Sequence, residues 1–383
     1  MDTIVNERKK NLGEKLYIAA LIFGISGSLL FGTMFSWAAH SNYLIRIGMI
    51  LCITKSLFID RYTSKQFWMY VICIISAVLS FDMGRHDILL IIPFIFAAKN
   101  VDFRKIMKTY LITVLSLILI VNFLSLIGKI PNLVFFRDGK PRFSYGFTYP
   151  TMEAAHIFYF LLAYTVYKKF KLNWVEDIII AFLGCFIISK GDARLDGYLT
   201  FVLLFIIIFR KLIFKLLSKL NSIIPVLLVL VIIVGYLFLA KNYNSMNPTE
   251  FGLNNLLSNR LYLTQQGLLR YPVNFFGNHV QMQGFGGYAG LAMAQTSWLA
   301  KNYFYIDNSF AQILLINGSI LFVITVIIFA YCVWKNMKNK NYSFVIALIF
   351  LAVAGTIESF ILQISFDIFA LMILANTKYW EKD

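Results

Sequence analysis

Long apolar runs alternate with short polar stretches along the whole chain, and this alternation predicts a membrane protein made of helices. Many of the runs reach the roughly 17–25 apolar residues that a helix needs to cross a bilayer core about 30 Å thick. We therefore predict an all-α polytopic membrane protein with about 12 transmembrane helices, and we treat residues 1–383 as a single integral membrane domain. The predicted spans are 16–37, 42–60, 66–83, 87–98, 109–128, 153–167, 175–189, 196–209, 222–240, 306–334, 343–356 and 360–376.

Charged residues inside two of these regions need an explanation. Arg46 lies near one end of span 42–60, where its side chain can extend to the membrane surface. The alternative for this residue is that it faces an outward-open cavity and meets an anion. Residues 343–376 form a predicted hairpin of two short helices that turns near 355–358. Asp367 lies inside the second arm, and an acid within the membrane needs a partner or a wet cavity.

The basic residues indicate how the chain is oriented. Of the 35 Lys and Arg residues, 22 fall in one set of loops and ends, and 11 fall in the loops that alternate with them. Because basic residues accumulate on the cytoplasmic side, this bias predicts that both termini lie inside. It also places the two longest hydrophilic loops, 129–152 and 241–305, on the outer face of the membrane.

The composition leaves little room for a soluble protein. Apolar residues make up 59% and charged residues 14% of the chain, whereas a soluble domain has about 25% charged residues. The mean hydropathy is +0.73. A net charge of +16 would favour nucleic-acid binding in a soluble chain. Here it follows mainly from the bias of the inner loops, so we expect the lipid bilayer and no nucleic acid as a partner.

The outer loop 129–152 concentrates basic and aromatic residues. Its second half contains the segment Arg142-Phe-Ser-Tyr-Gly-Phe-Thr-Tyr-Pro. Such a turn can present a guanidinium group and backbone amides to a phosphate, and it can stack aromatic rings on the faces of sugars. The alternative is an aromatic belt at the membrane surface, which fits Phe135 and Phe136 equally well.

The short outer turn 190–196 holds Arg194 between two predicted helix ends. An arginine fixed in this way is well placed for recognising an anion. The alternative is a salt bridge with Asp192 or Asp196.

The outer loop 241–305 contains an amphipathic pattern over 254–270, which predicts a helix lying on the outer leaflet. Arg260 and Arg270 accompany its apolar positions. Before Asp307 this loop holds one acidic residue against four bases, a balance that favours an anionic ligand or a neutral sugar on a charged carrier.

The outer loops lack the paired acids that chelate a divalent metal beside a diphosphate. We therefore expect no metal site and no cofactor. If the chain is an enzyme, a mechanism that uses arginine to offset phosphate charge is what remains.

Four patches of outer-face residues, taken in order, resemble the Wzy-type polymerases of surface polysaccharide, within the wider O-antigen polymerase and ligase superfamily. The Arg142 segment resembles that family's Arg-x-Ser-x-Gly-Phe-x-His-Pro segment, and Asp192-Ala-Arg194 resembles its Ser-Arg turn. Arg260-Leu-Tyr-Leu, running on to Tyr271-Pro and Phe276-Gly-Asn, resembles the start of its large loop. Asp307-Asn308, followed by Gly318, resembles the Asp-Asn pair at the start of its next span. The resemblance extends over nearly the whole chain.

The resemblance implies a multi-pass glycosyltransferase of the bacterial cytoplasmic membrane. Its substrate would be an undecaprenyl-diphosphate-linked oligosaccharide on the outer leaflet, and flippase and chain-length regulator proteins would be its partners. The growing chain would leave its lipid carrier and join a hydroxyl group of the incoming repeat unit.

This reaction asks two things of the protein: positive charge aimed at the departing diphosphate and a base near the attacking hydroxyl. Tyr149 stands where the family commonly has a histidine, so the base must be sought elsewhere. The candidate bases are His279, Glu153 and Asp307. The candidate diphosphate ligands are Arg142, Arg194 and Arg260, with Arg270 and Arg46 as further candidates.

Two other functions remain open at this stage. A related ligase would transfer the same donor to a lipid core, a wall polymer or a protein. A flippase or other transporter of lipid-linked sugars would move the substrate without chemical change, although the long outer loop and the lack of visible repeats favour an enzyme.

Overall fold

The computed structural model describes residues 2–79, 87–296 and 303–381, most of which are helical. The α-helices are α1 (Asp2–Phe31), α2 (Asn42–Phe58), α3 (Ser64–Leu79), α4 (Asp87–Ala97), α5 (Phe103–Leu126), α6 (Pro150–Tyr167), α7 (Trp174–Gly191), α8 (Arg194–Ile208), α9 (Arg210–Lys219), α10 (Ile223–Leu230), α11 (Tyr236–Lys241), α12 (Pro248–Leu256), α13 (Arg260–Arg270), α14 (Gly287–Gln295), α15 (Ser309–Gln312), α16 (Ser319–Lys338) and α17 (Tyr342–Ile357). A π-helical turn joins α10 to α11, so that they form one continuous rod.

Four helices in the described part of the chain are long and apolar enough to cross a membrane. They are Lys9–Phe31, Phe103–Leu126, Ile223–Lys241 and Ser319–Lys338. Only 22–44% of their most apolar residues are buried inside the protein, so most of their apolar side chains point outward. Such a surface suits lipid, in which helices satisfy their own backbone hydrogen bonds. The prediction of a helical membrane protein agrees with this finding.

The centre of the molecule is formed by α6 and α17. Nearly every residue of α17 is buried, and α6 is buried over most of its length. A helix that is apolar all round must be enclosed by other elements, and α17 packs against α6, α8, α10 and α16. The outer helices enclose this pair and face outward with large apolar side chains.

The predicted span 306–334 is wrong as a single helix, because the chain breaks at Gly318. This glycine has φ 95°, and a Cβ atom there would lie 2.1 Å from the carbonyl oxygen of Phe275. Ser319 begins α16 and donates its backbone N–H to the carbonyl of Asn274 at 2.9 Å. The large loop therefore docks directly against the break, which only glycine permits.

The predicted second helical arm, 360–376, is also wrong, since this segment is irregular apart from a 3₁₀ turn at Phe369–Ile373. Oδ1 of Asp367 accepts hydrogen bonds from the backbone N–H groups of Phe369 and Ala370, at 2.8 and 3.3 Å. These side-chain bonds take the place of the backbone bonds that a regular helix would form here. Tyr110 donates its hydroxyl to the carbonyl oxygens of Ser365 and Phe366, both at 3.1 Å. The partner of Asp367 is thus the backbone.

A β-hairpin that the sequence analysis did not predict forms in loop 129–152. Strands β1 (Val134–Arg137) and β2 (Lys140–Phe143) pair antiparallel. The Asp138-Gly139 turn between them has positive φ angles of 51° and 75°, which is the twist that a tight hairpin requires. The pairing places Arg142 opposite Phe135.

The predicted amphipathic helix 254–270 is two helices, α12 and α13. Ser258 and Asn259 break it with φ angles of 53° and 66°. The break makes Arg260 the first residue of α13, and Leu261, Leu263, Thr264 and Gly267 form the buried face of this helix.

Candidate functional site

Charged side chains from four distant parts of the sequence meet at one place. They are Asp196 in the first turn of α8, Arg260 at the start of α13, Asp307 just before α15, and Glu358 just after α17. We call these four residues the charge cluster. Arg260 interacts electrostatically with all three acids, so the cluster holds one positive group against three carboxyl groups.

Arg260 and Asp307 form the more open side of the cluster. Nε of Arg260 lies 3.8 Å from Oδ2 of Asp307, and their side chains are 12% and 27% exposed. The Nε atom of Arg260 has no hydrogen-bond partner among the described residues. Burial opposes the charge on Arg260, but the nearby acids, Asp307 foremost, outweigh it and raise the pKa of this side chain above its usual value. Arg260 is therefore a permanent positive charge with donor capacity to spare.

Asp196 and Glu358 form the closed side, and each is only 2% exposed. Their carboxyl groups lie within hydrogen-bonding range of each other. Oδ1 of Asp196 and Oε2 of Glu358 meet no donor group in the described part of the chain, so a hydrogen bond between them requires a proton on one carboxyl. Burial, followed by the neighbouring Asp196, raises the pKa of Glu358 well above its ordinary value.

Asn308 fixes the position of Asp307 relative to Glu358. Its Oδ1 accepts the backbone N–H of Ala311 at 2.7 Å and so caps α15. Its Nδ2 donates to the carbonyl of Thr356 at 3.0 Å. The next residue, Ser309, donates its backbone N–H to the carbonyl of Glu358 at 3.0 Å. Asn308 is fully buried, and the Asp307-Asn308 motif thus locks the start of one helix onto the end of another.

Tyrosines surround the charge cluster. Tyr303 lies near Asp307, Tyr149 and Arg260, and burial together with Asp307 raises the pKa of its hydroxyl. Tyr303 also stacks on Phe285, with ring centroids 4.3 Å apart. Aromatic faces of this kind suit sugar rings, and their hydroxyls can hydrogen-bond to sugar oxygens.

Arg142 provides a second positive charge, which is buried, and its partner Tyr149 lies near Tyr303, as the charge cluster does. Its side chain donates from Nε to the carbonyl of Gly191 at 2.9 Å and from Nη1 to the Tyr149 hydroxyl at 3.1 Å. Arg142 is 2% exposed, and its Nη2 has no hydrogen-bond partner among the described residues. An unsatisfied buried donor of this kind is costly and calls for a functional explanation.

Arg194 forms the salt bridge that was its alternative role. Its Nε lies 2.9 Å from Oδ1 of Asp192, and its Nη2 lies 3.5 Å from Oδ2 of Asp138. Arg137 contacts the other oxygen of Asp192 at 3.1 Å. Burial, with a further contribution from Arg142, lowers the pKa of Arg137. The 43% exposed Arg194 side chain belongs to this outer ion-pair network.

Two other predicted diphosphate ligands lie apart from the charge cluster. Arg46 is exposed, stacks over Tyr43 at 5.5 Å and lines a cavity of about 550 Å³ beside Asp87. Arg270 is exposed and stacks over Phe304 at 4.5 Å.

Two of the three predicted bases are also separate from the cluster. His279 is exposed and makes no hydrogen bond or ion pair within the described residues. Glu153 is buried in α6 and accepts a hydrogen bond from Nδ2 of Asn122 at 2.8 Å. Of the three, the structure brings only Asp307 together with an arginine of the charge cluster.

Glu358 was not among the residues predicted for the site, and Asp196 was predicted only as an alternative salt-bridge partner of Arg194. A usable signal was present for Glu358, because an acid at the turn of an otherwise apolar hairpin needs a partner. Nothing in the sequence identified Asp196 as that partner, since the two residues meet only through the packing of α8 against α17.

Comparison of the chain with protein-family models, with curated proteins and with solved structures finds no match. Within residues 2–79, 87–296 and 303–381, no group of three or more His, Cys, Asp or Glu side chains is arranged to hold a metal ion.

Removing the positive charge of the cluster should destabilise the protein. We expect Arg260→Gln to cost about 3–5 kcal/mol of stability at neutral pH, because it leaves buried carboxyl groups without their counter-charge. The loss should shrink as the pH falls, because the carboxyls then become neutral. Unfolding of the purified protein in detergent, followed over a range of pH, measures both effects. Arg270→Gln is the matched control and should cost roughly 1 kcal/mol or less. Equal losses in the two variants, or a loss independent of pH, would contradict this account.

Proposed function

We propose that this protein polymerises undecaprenyl-diphosphate-linked oligosaccharide repeat units on the outer face of the cytoplasmic membrane. The observation that supports the proposal is Arg260, whose side chain is only 12% exposed and faces Asp307 at 3.8 Å. The buried Arg142 hydrogen-bonds to Tyr149, and Tyr149 and Arg260 both lie near Tyr303. Two desolvated arginines beside an acid and aromatic rings suit a reaction in which a diphosphate leaves a sugar. The resemblance of the same residues to Wzy-type polymerases supports the same function.

In the proposed reaction, the bond between the anomeric carbon of the donor and its phosphate oxygen breaks. The diphosphate leaves with the bonding electrons and gains one negative charge. Arg260 and Arg142 stabilise that charge, and the partly water-excluded site strengthens their effect. Nε of Arg260 and Nη2 of Arg142 are buried and have no hydrogen-bond partner among the described residues, so a phosphate oxygen that reaches either atom meets an unused donor.

The hydroxyl of the acceptor sugar forms the new glycosidic bond and gives up its proton. We assign Asp307 as the base, because its carboxyl group is 27% exposed on the open side of the charge cluster. Glu153 is instead paired with Asn122, and neither it nor His279 forms an ion pair with Arg142 or Arg260 among the described residues. The proton is then passed to water from this exposed side chain.

The proposal includes the predicted topology, with about 12 crossings and both termini inside. Among the residues that the structure describes, four helices have spanning length, and several shorter apolar helices accompany them. The charge cluster draws on loop 241–305 and the Arg142 site on loop 129–152, so both loops must lie on the face where the substrate is presented.

Accessibility labelling tests this orientation. Cysteines introduced at Lys140 and Ser245, both exposed, should react with a membrane-impermeant thiol reagent in intact cells without an outer membrane. A cysteine at Ser218, exposed in α9, should react only after the membrane is permeabilised. The background should carry Cys185→Ala, because Cys185 is the exposed native cysteine. Labelling of Ser218→Cys alone in intact cells would reverse the orientation and remove the proposed function.

The reaction itself can be tested with purified protein in detergent. Undecaprenyl-diphosphate-linked repeat units should be converted into a ladder of products that differ by one repeat unit. A transporter gives no product without two separate compartments, whereas a polymerase needs only its substrate. We expect the ladder to persist in EDTA, since arginine would supply the positive charge. A ladder that EDTA abolishes and Mg²⁺ restores would overturn the metal-free mechanism, and transfer only to a non-repeat acceptor would favour a ligase.

Arginine geometry should matter at the second buried charge. Arg142→Lys should abolish long polymer without lowering protein abundance, because lysine cannot reproduce the bonds of the planar guanidinium group to Gly191, Tyr149 and a phosphate. Arg194→Lys should have a smaller effect, since lysine can still pair with Asp192. Lys335→Gln, in a predicted cytoplasmic stretch, is the control for abundance. Normal polymer length in the Arg142→Lys strain would exclude this residue from the site.

A further inference from the structure

We propose that Asp196 and Glu358 share one proton and act as positioning residues that keep Arg260 directed toward Asp307 and the diphosphate of the substrate. This inference rests on the proposed function and deepens it, because it names a pair of residues that controls the charge of the same site. Neither residue was predicted from the sequence to take part.

Charge balance in the cluster supports the shared proton. Three ionised carboxylates around one arginine would leave a net charge of about −2 in a largely buried site, and buried like charges are strongly unfavourable. Asp196 and Glu358 are both 2% exposed and lie within hydrogen-bonding range of each other. A single proton between them turns a repulsive contact into a hydrogen bond and leaves the pair with one negative charge.

The position of the pair argues for control of Arg260 rather than for direct contact with substrate. Asp307 is 27% exposed and Arg260 is 12% exposed, so the pair lies on the closed side of the guanidinium group. A substrate entering from the open side meets Asp307 and Arg260 first. The pair acts on the substrate only through Arg260.

The surroundings contain no second cation for the pair within the described residues. The charged and titratable groups that face it are Arg260 from α13, Asp307 from the segment before α15, and Tyr159 from α6. Tyr159 is fully buried, and its hydroxyl has no hydrogen-bond partner in the described chain. Loss of the shared proton would therefore place a second negative charge against Arg260 alone.

The consequence is a change in where Arg260 points. With one proton on the pair, the guanidinium group of Arg260 is attracted both to Asp307 and to the pair. Its Nε can then donate a hydrogen bond to the diphosphate. Without that proton, the pair carries two charges and draws Arg260 inward, away from the diphosphate. The reaction should therefore slow as the pH rises and the proton is lost.

The decisive variants are Glu358→Gln and Asp196→Asn. Each amide imitates a protonated acid, so the pair in each variant can carry at most one negative charge at any pH. Wild-type polymerisation should fall about tenfold for each pH unit above the apparent pKa of the pair. Both variants should lose this alkaline decrease in the pH profile of polymerisation, whatever their rate at neutral pH. Asp367→Asn is the matched control, since Asp367 is buried but bonds to backbone N–H groups, and it should keep the wild-type pH profile.

A measurement independent of activity detects the proton itself. The difference between the infrared spectra of the wild type and Glu358→Gln at neutral pH should contain the C=O stretching band of one protonated carboxylic acid. No such band, or an unchanged alkaline decrease in both variants, would overturn the shared proton while a product ladder still supported the polymerase. A clear band in a protein that makes no ladder would overturn the polymerase and, with it, the positioning role.

Discussion

The burial of the positive charge of Arg260 is the constraint on which the rest of the arrangement depends. The guanidinium group of Arg260 is balanced by counter-charges, which come from α8, from the segment before α15 and from the end of α17. The central helix α17 therefore ends at Glu358 beside the start of α8, and Asn308 fixes the incoming segment to the same place. The glycine break at Gly318 is a further consequence, because the loop that carries Arg260 must return and dock against α16.

The two buried arginines are held in different ways. Arg260 is balanced by carboxyl groups, whereas Arg142 relies on the carbonyl of Gly191 and the hydroxyl of Tyr149. Neutral partners leave Arg142 with its full positive charge, so an anionic ligand gains more from it than from an arginine already neutralised by acids. Arg194 illustrates the opposite case, since Asp192 and Asp138 already pair with it. A diphosphate that reached both arginines would meet Arg260, whose charge is offset by acids, and Arg142, whose charge is not.

The sequence predicted the helical class and the residues that carry local signals. Arg142 was identified from a loop rich in basic and aromatic residues, Arg260 from an amphipathic pattern, and Asp307 from the resemblance of Asp307-Asn308 to a family motif. The hairpin at Asp138-Gly139 could also have been predicted, because that dipeptide favours a tight turn. It was not predicted, because the apolar pattern was used to find helices. The Asp196–Glu358 contact could not be predicted, since the hydrophobic period of a helix gives its buried face and not the residue it meets. The irregular segment after Glu358 was predicted as a helix for a related reason, because its composition is as apolar as that of a helix. Only the contacts of Asp367 and Tyr110 show where its backbone hydrogen bonds go.

The separation of Asp196 and Glu358 in the sequence has a consequence for the biosynthesis of the protein. Synthesis proceeds at about 5–20 residues per second, so Glu358 emerges on the order of ten seconds after Asp196 and well after Arg260. During that interval, Asp196 in α8 and Arg260 in α13 lack some of their final partners. The charge cluster is therefore incomplete until Glu358 has been synthesised, and a residue at the end of α17 supplies the final partner of residues made long before it.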